Sequence, residues 1–521
     1  MTDKANNSAK TSLRDRSPIL AGLMLTMGLS AMDSTIVATA IPSLVRDLSG
    51  FALFPWVFSA YLLTSTVANP IYGKLADMYG RKLLLLGGIS IFLLGSVLCG
   101  LAWNMLALIV FRGIQGIGAG SIQTLTSTVV GDIYTIEERG RIQGWLSSVW
   151  GISSVIGPAI GGLFVQFSSW RWIFYINLPI GLAAMLMIAT RLHEKNVSRK
   201  RQIDFGGAVL LVVGAGLLIF GLLQGGVSWD WLAPQSIVIF VVAIVALVVF
   251  AWHEGRTAEP IIPPWIFGSR LLIGVNLTSA VVGLLTIGLT TFLPTFAQRV
   301  LGADPVSAGF ALAAMSIGWP LASSFSSRLY LKIGFRNTAL AGSGIALIAS
   351  LFLGLLPETS STLLIAVGSF LMGAGLGLIA TSLLVGVQSV VGWTQRGVVT
   401  AATMFMRALG STIGAALFGS ISNSILANWL RQAPATLKGE LPSSVNELSN
   451  TAVSNQSGTQ AASYLRDGLY TATNAVFWGL VVAALFGLAL VLITPQKFTA
   501  LHSNATEPET VKQPEEGQRV G

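Results

Sequence analysis

One cysteine, Cys99, is the only thiol in 521 residues, and His193, His253 and His502 are the only imidazoles. A lone thiol excludes an intrachain disulfide and a thiolate cluster. The three histidines fall in or beside loops between long apolar runs, so no His-based metal site sits within those runs. Charge is scarce too: Asp, Glu, Lys and Arg make up 10% of the chain, against about 25% in soluble domains. No Walker A sequence occurs, which argues against an ATP-driven pump in a single chain.

What is plentiful is apolar surface, with 53% hydrophobic residues and a mean hydropathy of +0.72. Backbone N–H and C=O groups in lipid must be satisfied internally, so only helix bundles or closed barrels remain. The runs are continuous rather than alternating, which selects helices. Apolar runs between turn or charge clusters predict spans near 18–40, 53–74, 83–103, 106–130, 141–165, 171–191, 204–225, 235–252, 271–297, 305–330, 337–356, 362–390, 398–430 and 460–494. The basic start (Lys4, Lys10, Arg14, Arg16) resembles a signal peptide, but the run after it is too long, lacks an evident cleavage site and contains an acid. It is therefore the first span. Fourteen spans put both termini in the cytoplasm. Of 31 Lys and Arg, 23 then fall in cytoplasmic segments, 6 outside and 2 within spans. That asymmetry is the positive-inside bias, and it explains the net charge of +9 without nucleic acid.

The spans group as six, two and six. The loop after span two, GKLADMYGRK (Gly73 to Lys82), is echoed after span ten by SRLYLKIGFR (Ser327 to Arg336), with Gly334 and Arg336 matching Gly80 and Lys82. This gives an all-α polytopic membrane protein of two six-helix bundles plus two inserted linker helices. The expected boundaries are a cytoplasmic tail at 1–17, a bundle at 18–191, a linker with two extra helices at 192–264 and a second bundle at 265–494. That second bundle carries a polar external loop at 431–459, and a disordered cytoplasmic tail follows at 495–521. Spans thirteen and fourteen are long enough to project beyond the bilayer, at about 50 Å each against a hydrocarbon core of about 30 Å.

Four stretches carry chemistry. In AMDSTIVATAIP (Ala31 to Pro42), Asp33 is the one charge of the run from Ile19 to Ile41. A carboxylate there costs on the order of 2.5–3.5 kcal/mol by insertion scales, so it usually has a job. In VFRGIQGIGAGSIQT (Val110 to Thr124), Arg112 is an intramembrane cation in need of a partner, and Gly113, Gly116 and Gly120 share a face that lets a neighbour pack closely. In GKLADMYGRK, Gly73 permits close helix approach and Gly80 a sharp turn, while Arg81 and Lys82 anchor one face. Asp77 is a carboxylate at a helix end beside those cations. Span five holds GWLSSVWGISSVIGPAIGG, where Gly157, Pro158, Gly161 and Gly162 supply a kink and a small-residue packing face.

Gly73 to Lys82 resembles the signature between helices two and three of the major facilitator superfamily. The resemblance implies that Asp77 pairs with a basic residue after span four, Arg139 or Arg141, and faces the start of span thirteen near Gly397. Such a contact would latch the cytoplasmic side, with Gly73, Asp77, Gly80, Arg81, Arg139 and Arg141 as its parts. The helix-four motif of that family implies proton coupling for Arg112, and span five resembles its antiporter motif, with Ser153 where a glycine is usual. Together with AMDSTIVATAIP, WRWIFYINLPIG (Trp170 to Gly181) and fourteen spans, the chain resembles the drug:proton antiporter branch, densest from Asp33 to Gly181.

Asp33 and Arg112 fall in the outer halves of their spans. A carboxylate whose solvation and partner change between two conformations can load a proton on one side and release it on the other. Asp33 is accordingly the expected proton site, with Arg112 tuning it; a static structural ion pair is the alternative. Tyr61, Gln115, Gln123, Trp150 and Gln388 are weaker candidates for a substrate cavity, each of a type that also serves ordinary packing. The expected function is proton-coupled export of hydrophobic or amphiphilic compounds across a bacterial inner membrane, multidrug efflux with antibiotic resistance as its consequence. Lipophilic monocations or neutral amphiphiles fit a site with one carboxylate. No cofactor is expected beyond the proton gradient. Export of an endogenous lipid or glycolipid to the cell envelope is the rival. An enzyme would need a convergent His, Cys or paired-carboxylate group that the spans lack, and a sensor would need a cytosolic output domain.

Overall fold

The computed structural model describes residues 13–49, 53–194, 204–226, 229–434, 436–437, 441–442, 460–496 and 498. The tail before residue 13, the basic stretch 195–203, most of the external loop 431–459 and nearly all of the tail after 496 lie outside the described residues.

Regular structure among the described residues is helical. The first half contains α1 (Leu13–Leu48), α2 (Pro55–Tyr79), α3 (Arg81–Gly100), α4 (Met105–Ile133), α5 (Ile136–Phe167), the single turn α6 (Trp172–Tyr175) and α7 (Asn177–Arg191). Two helices are inserted, α8 (Phe205–Gln224) and α9 (Pro234–Glu254). The second half contains the turn α10 (Trp265–Gly268), then α11 (Arg270–Thr295), α12 (Pro305–Ile333), α13 (Phe335–Gly354), α14 (Thr362–Val390), α15 (Arg396–Arg431) and α16 (Gln460–Ile493). The sixth span is thus broken at Ile176, between α6 and α7.

Thirteen of these segments are long and apolar enough to cross a membrane. The fourteenth expected span, α2, falls short in apolarity because it carries Thr64, Ser65, Thr66, Asn69, Lys74 and Asp77. It is nonetheless long enough to cross. Its 25 residues make about 37 Å of helix, and they lie along α4, whose Gly116 faces Tyr61 and Thr64 and whose Gly120 faces Ser65 and Ala68.

Antiparallel alternation gathers one set of helix ends, with Arg16, Arg81, Lys82, Arg139, Arg141, Arg191, Arg328, Lys332, Arg336 and Arg396, at a single Arg-rich end. The inserted pair α8 and α9 pack on each other, and α8 leans on α2 and α15, with the Trp56 and Phe220 rings 5.1 Å apart. The halves meet along α5 against α12 and α2 against α15. Small residues make that approach possible: Gly140 faces Ser326 and Ser327, Gly144 faces Pro320 and Ser324, and Gly151 faces Ser316. Helices α15 and α16 run 36 and 34 residues. Beyond the bilayer-length portion they are tied together, Trp429 Nε1 donating to Tyr464 O at 3.0 Å and Tyr464 Oη to Trp429 O at 2.8 Å.

Candidate functional site

The first site is a buried polar knot inside the first half, away from the Arg-rich end. Asp33 on α1 is fully buried, and Arg112, seven residues into α4, is 1% exposed. Arg112 Nη1 donates to Asp33 Oδ2 at 2.5 Å and to Gln115 Oε1 at 2.8 Å, while its Nε donates to Val57 O at 3.1 Å. The other carboxylate oxygen accepts from Gln115 Nε2 at 2.8 Å and from Asn177 Nδ2 at 3.2 Å. Both amides also donate to Ser96 Oγ at 2.8 Å. The guanidinium lies 4.2 Å from the centre of the Tyr61 ring, whose hydroxyl meets Ser30 Oγ at 3.1 Å. Five helices therefore converge on one ion pair. An intramembrane charge is held at tolerable cost only when its partners are this complete.

The structure brings together Asp33 and Arg112, the two charges singled out in the sequence, and adds partners around them. Gln115 and Tyr61, expected to line a substrate cavity, are parts of this knot. Their signals were available: Gln115 is three residues from Arg112 and so shares its helix face. Asn177 was missed; its signal is a lone amide within a span, on the first turn of α7. The remaining cavity candidates scatter. Gln388 is buried at the Arg-rich end, its Nε2 donating to Ser127 O at 3.2 Å and Thr400 Oγ1 at 3.0 Å. Trp150 is exposed and Gln123 half-buried. None of the five lines the apolar groove of about 620 Å³ that runs between α2, α3, α4 and α8 past Leu63, Ile71, Tyr72, Leu83, Ile117 and Val212.

The second site is the seam at the Arg-rich end. Gly80, with φ +95°, turns the chain between α2 and α3 in a conformation that L side chains rarely adopt. At Gly73 a methyl group would collide with Ala401 Cβ and lie 2.7 Å from Gly397 O, so only glycine lets α2 touch α15 there. Asp77 then reaches the first turn of α15. Its Oδ1 accepts from Gly397 N at 3.0 Å and its Oδ2 from Val398 N at 2.9 Å, where the helix dipole favours an anion.

The cation beside Asp77 is Arg81, at 2.7 Å, not Arg139 or Arg141. Arg81 is one helical turn away, and its buried guanidinium also pairs with Asp132 at 2.9 Å, donates to Trp393 O at 2.5 Å and stacks 3.6 Å from the Trp393 ring centre. Arg139 instead caps α4, donating to Tyr134 O at 2.9 Å and to Gly131 O. Arg141 lies over Trp145. Asp132 also holds Arg396 at 2.9 Å, so a second acid joins the halves that sequence reasoning did not single out. A third tie is Tyr330 Oη donating to Ile136 O. The hydrogen bonds and ion pairs that cross between the halves gather at this end.

In span five, Gly157 and Gly161 face Thr35 and Thr39 of α1, too close for any side chain, and Thr35 Oγ1 donates to Ser153 O at 3.0 Å. Gly162 faces open space and does not belong to that packing face. Pro158 sits inside an unbroken helix.

Comparison with known proteins agrees with this architecture. Residues 23–415 match the Major Facilitator Superfamily. The chain is 37% identical over 421 residues to Multidrug resistance protein 3 of Bacillus subtilis, covering 81% of this chain and 82% of that one. It is 35% identical over 427 residues to Multidrug transporter protein MdtP of the same organism, covering 82% and 79%. The crystal structure of a bacterial homologue of the iron transporter ferroportin in an outward-facing state superposes with a TM-score of 0.59 over 91% of this chain and 100% of that one. At 12% identity that last likeness is one of fold alone. The chain belongs to the Major Facilitator Superfamily, and with it to multi-pass membrane transporters rather than enzymes.

Proposed function

We propose that this protein is a proton-coupled exporter of hydrophobic or amphiphilic small molecules, of the multidrug efflux type. The observation that carries the proposal is a fully buried carboxylate on a spanning helix, Asp33, held by Arg112, Gln115 and Asn177. The names of the Bacillus subtilis relatives support small-molecule efflux. The positive-inside bias supports a cytoplasmic Arg-rich end with both termini on that side, in a bacterial inner membrane.

On that orientation the seam through Asp77, Arg81, Asp132 and Arg396 closes the cytoplasmic side, and the knot lies in the outer half of the membrane. Protonation of Asp33 would remove the charge that holds Arg112 and turn an acceptor of amide N–H groups into a competing donor. The knot would then loosen, and helices α1, α4 and α7 could rearrange relative to one another. A proton taken up from outside and released after the seam opens would drive substrate the other way. Export follows from that alternation, with the proton gradient as the energy source.

The test is pH-gradient-driven dye efflux in proteoliposomes with Asp33→Asn. Coupled efflux should fall at least a hundredfold while the variant still inserts in the membrane, and some loss of thermal stability is expected because Arg112 stays buried without its counter-charge. Coupled transport retained by this variant would reduce Asp33 to a structural ion-pair member. The projecting, mutually tied ends of α15 and α16 favour one second reading, release of an envelope lipid or glycolipid. Labelled lipids in the same vesicles distinguish the two.

A further inference from the structure

Two cations stand deep in spanning helices. Arg112 is answered by Asp33. Arg407 on α15 is not: among the described residues no carboxylate pairs with it, and its Nη2 meets only the soft acceptor Met404 Sδ, at 3.2 Å. Eleven residues separate it from the start of α15, or about 16 Å of helix from the Arg-rich end. An unanswered guanidinium at such a depth is expensive, and arginine cannot escape the cost by losing its proton.

The direction of Arg407 follows from its neighbours on α15. Thr400 is bonded to Gln388 of α14, which in turn reaches Ser127 of α4 in the other half. Arg407, seven residues on, returns to nearly the same helix face two turns further from the Arg-rich end. Thr403, Gly410 and Gly414 mark the adjoining face, packed on Asn276, Ala280 and Leu284 of α11. Arg407 thus projects beside α11 toward the first half, beyond the last hydrogen bond that joins the halves among the described residues. It is half-buried there, so part of its side chain stays uncovered.

We propose that Arg407 binds the anionic group of an amphiphilic substrate, so that lipophilic organic anions such as carboxylates and sulfonates belong to the transported class. This rests on the exporter function and extends it beyond the monocations and neutral amphiphiles expected from a site with one acid. The guanidinium fork would engage the anion through paired N–H groups, while apolar neighbours accept the rest of the molecule. Met404, a flexible and polarizable side chain, would yield its place to the ligand.

The test uses dansylglycine and dansylamide, one ring system with and without a carboxylate, against the full chain in lipid nanodiscs. Binding is read by energy transfer from the protein's tryptophans. The parent should prefer dansylglycine. Arg407→Gln should weaken dansylglycine roughly tenfold or more, the loss expected for a charge-assisted pair, and alter dansylamide by less than about twofold. Arg407→Lys should fall between parent and Gln. Unchanged dansylglycine affinity in Arg407→Gln would overturn the proposal. Equal weakening of both dyes would overturn it too, because that outcome marks a structural residue. No pH gradient enters the measurement. Charge-selective binding without gradient-driven efflux would therefore sink the exporter function and leave the anion site standing.

Discussion

The loops Gly73 to Lys82 and Ser327 to Arg336 occupy corresponding places in the two halves, and their backbones agree. Gly80 has φ 95° and ψ 154°, and Gly334 has φ 85° and ψ 162°. Each glycine ends one helix and starts the next at the Arg-rich end. The side chains around them diverge. Where the first loop has Asp77 and Arg81, the second has Leu331 and Phe335. Asp77 is buried and accepts two backbone N–H bonds from α15. Leu331 is 52% exposed, and the neighbour that reaches the opposite half is Tyr330, through a neutral hydroxyl. Phe335 packs its ring on Tyr330 and Phe498. A repeated turn preserves the helix geometry without preserving the interaction. One seam is ionic and sensitive to water, and the other is neutral, with small residues packed closely and the Tyr330 hydroxyl bonded to Ile136 O.

The largest effect should come from removing the ionic member. Truncating one partner of a buried charge pair costs about 3–5 kcal/mol while the surroundings stay buried. Opening the seam returns Arg81 to water, so Asp77→Asn should shift the protein toward the form open at the Arg-rich end, by tenfold or more in the ratio of states. Spin labels at exposed Leu83 and Asn337 would report the separation of the halves. Cys99 can remain, because it is fully buried. An unchanged distance distribution would mean that Asp132 with Arg396 holds the seam alone.

Tyr330→Phe should act in the same direction but less. One hydroxyl-to-carbonyl bond contributes about 1 kcal/mol net, roughly fivefold in the ratio. The Gly140, Gly144 and Gly151 contacts of α5 with α12 remain in this variant. A shift as large as that of Asp77→Asn would show that the second seam carries as much of the closure as the first.

The asymmetry explains what was legible in the sequence. Spans are set by length and apolarity, so the helices stand within a few residues of expectation, except where α1 runs on to Leu48 and the sixth span breaks at Ile176. Gly73, Asp77 and Gly397 meet because a glycine-spaced acid needs a helix end to face. The identity of the cation was not legible, since Arg81, Arg139 and Arg141 all lie within reach of a seam whose geometry depends on three helices. Arg139 is drawn away by the free carbonyls at the end of α4. Asp33 with Arg112 was visible as two charges in apolar runs. The amides that complete the knot, Gln115 and Asn177, look like any polar residue until five helices converge. Arg407 was hidden for the opposite reason: its meaning lies in the partner it lacks.

The smallest effect tests whether the sequence echo has a function of its own. Aligning Gly334 with Gly80 makes Leu331 the counterpart of Asp77, so restoring the acid with Leu331→Asp would complete the motif on paper. The structure predicts no second latch. Successive residues on a helix are about 100° apart, and the direction facing α5 belongs to Tyr330, which is 3% exposed. An acid at position 331 would stand in the last turn of α12, where the helix dipole opposes it by about 0.3–1 kcal/mol. Arg328, one turn back, offers a pair worth about 0.2–0.5 kcal/mol in return. The two nearly cancel, and neither depends on whether the halves are together. The Leu83–Asn337 distance distribution should therefore match the parent within about twofold in the ratio of states. A clear gain of the closed form would show that the end of α12 can rotate by one position to meet α5, and the neutral seam would then be one of two available registers.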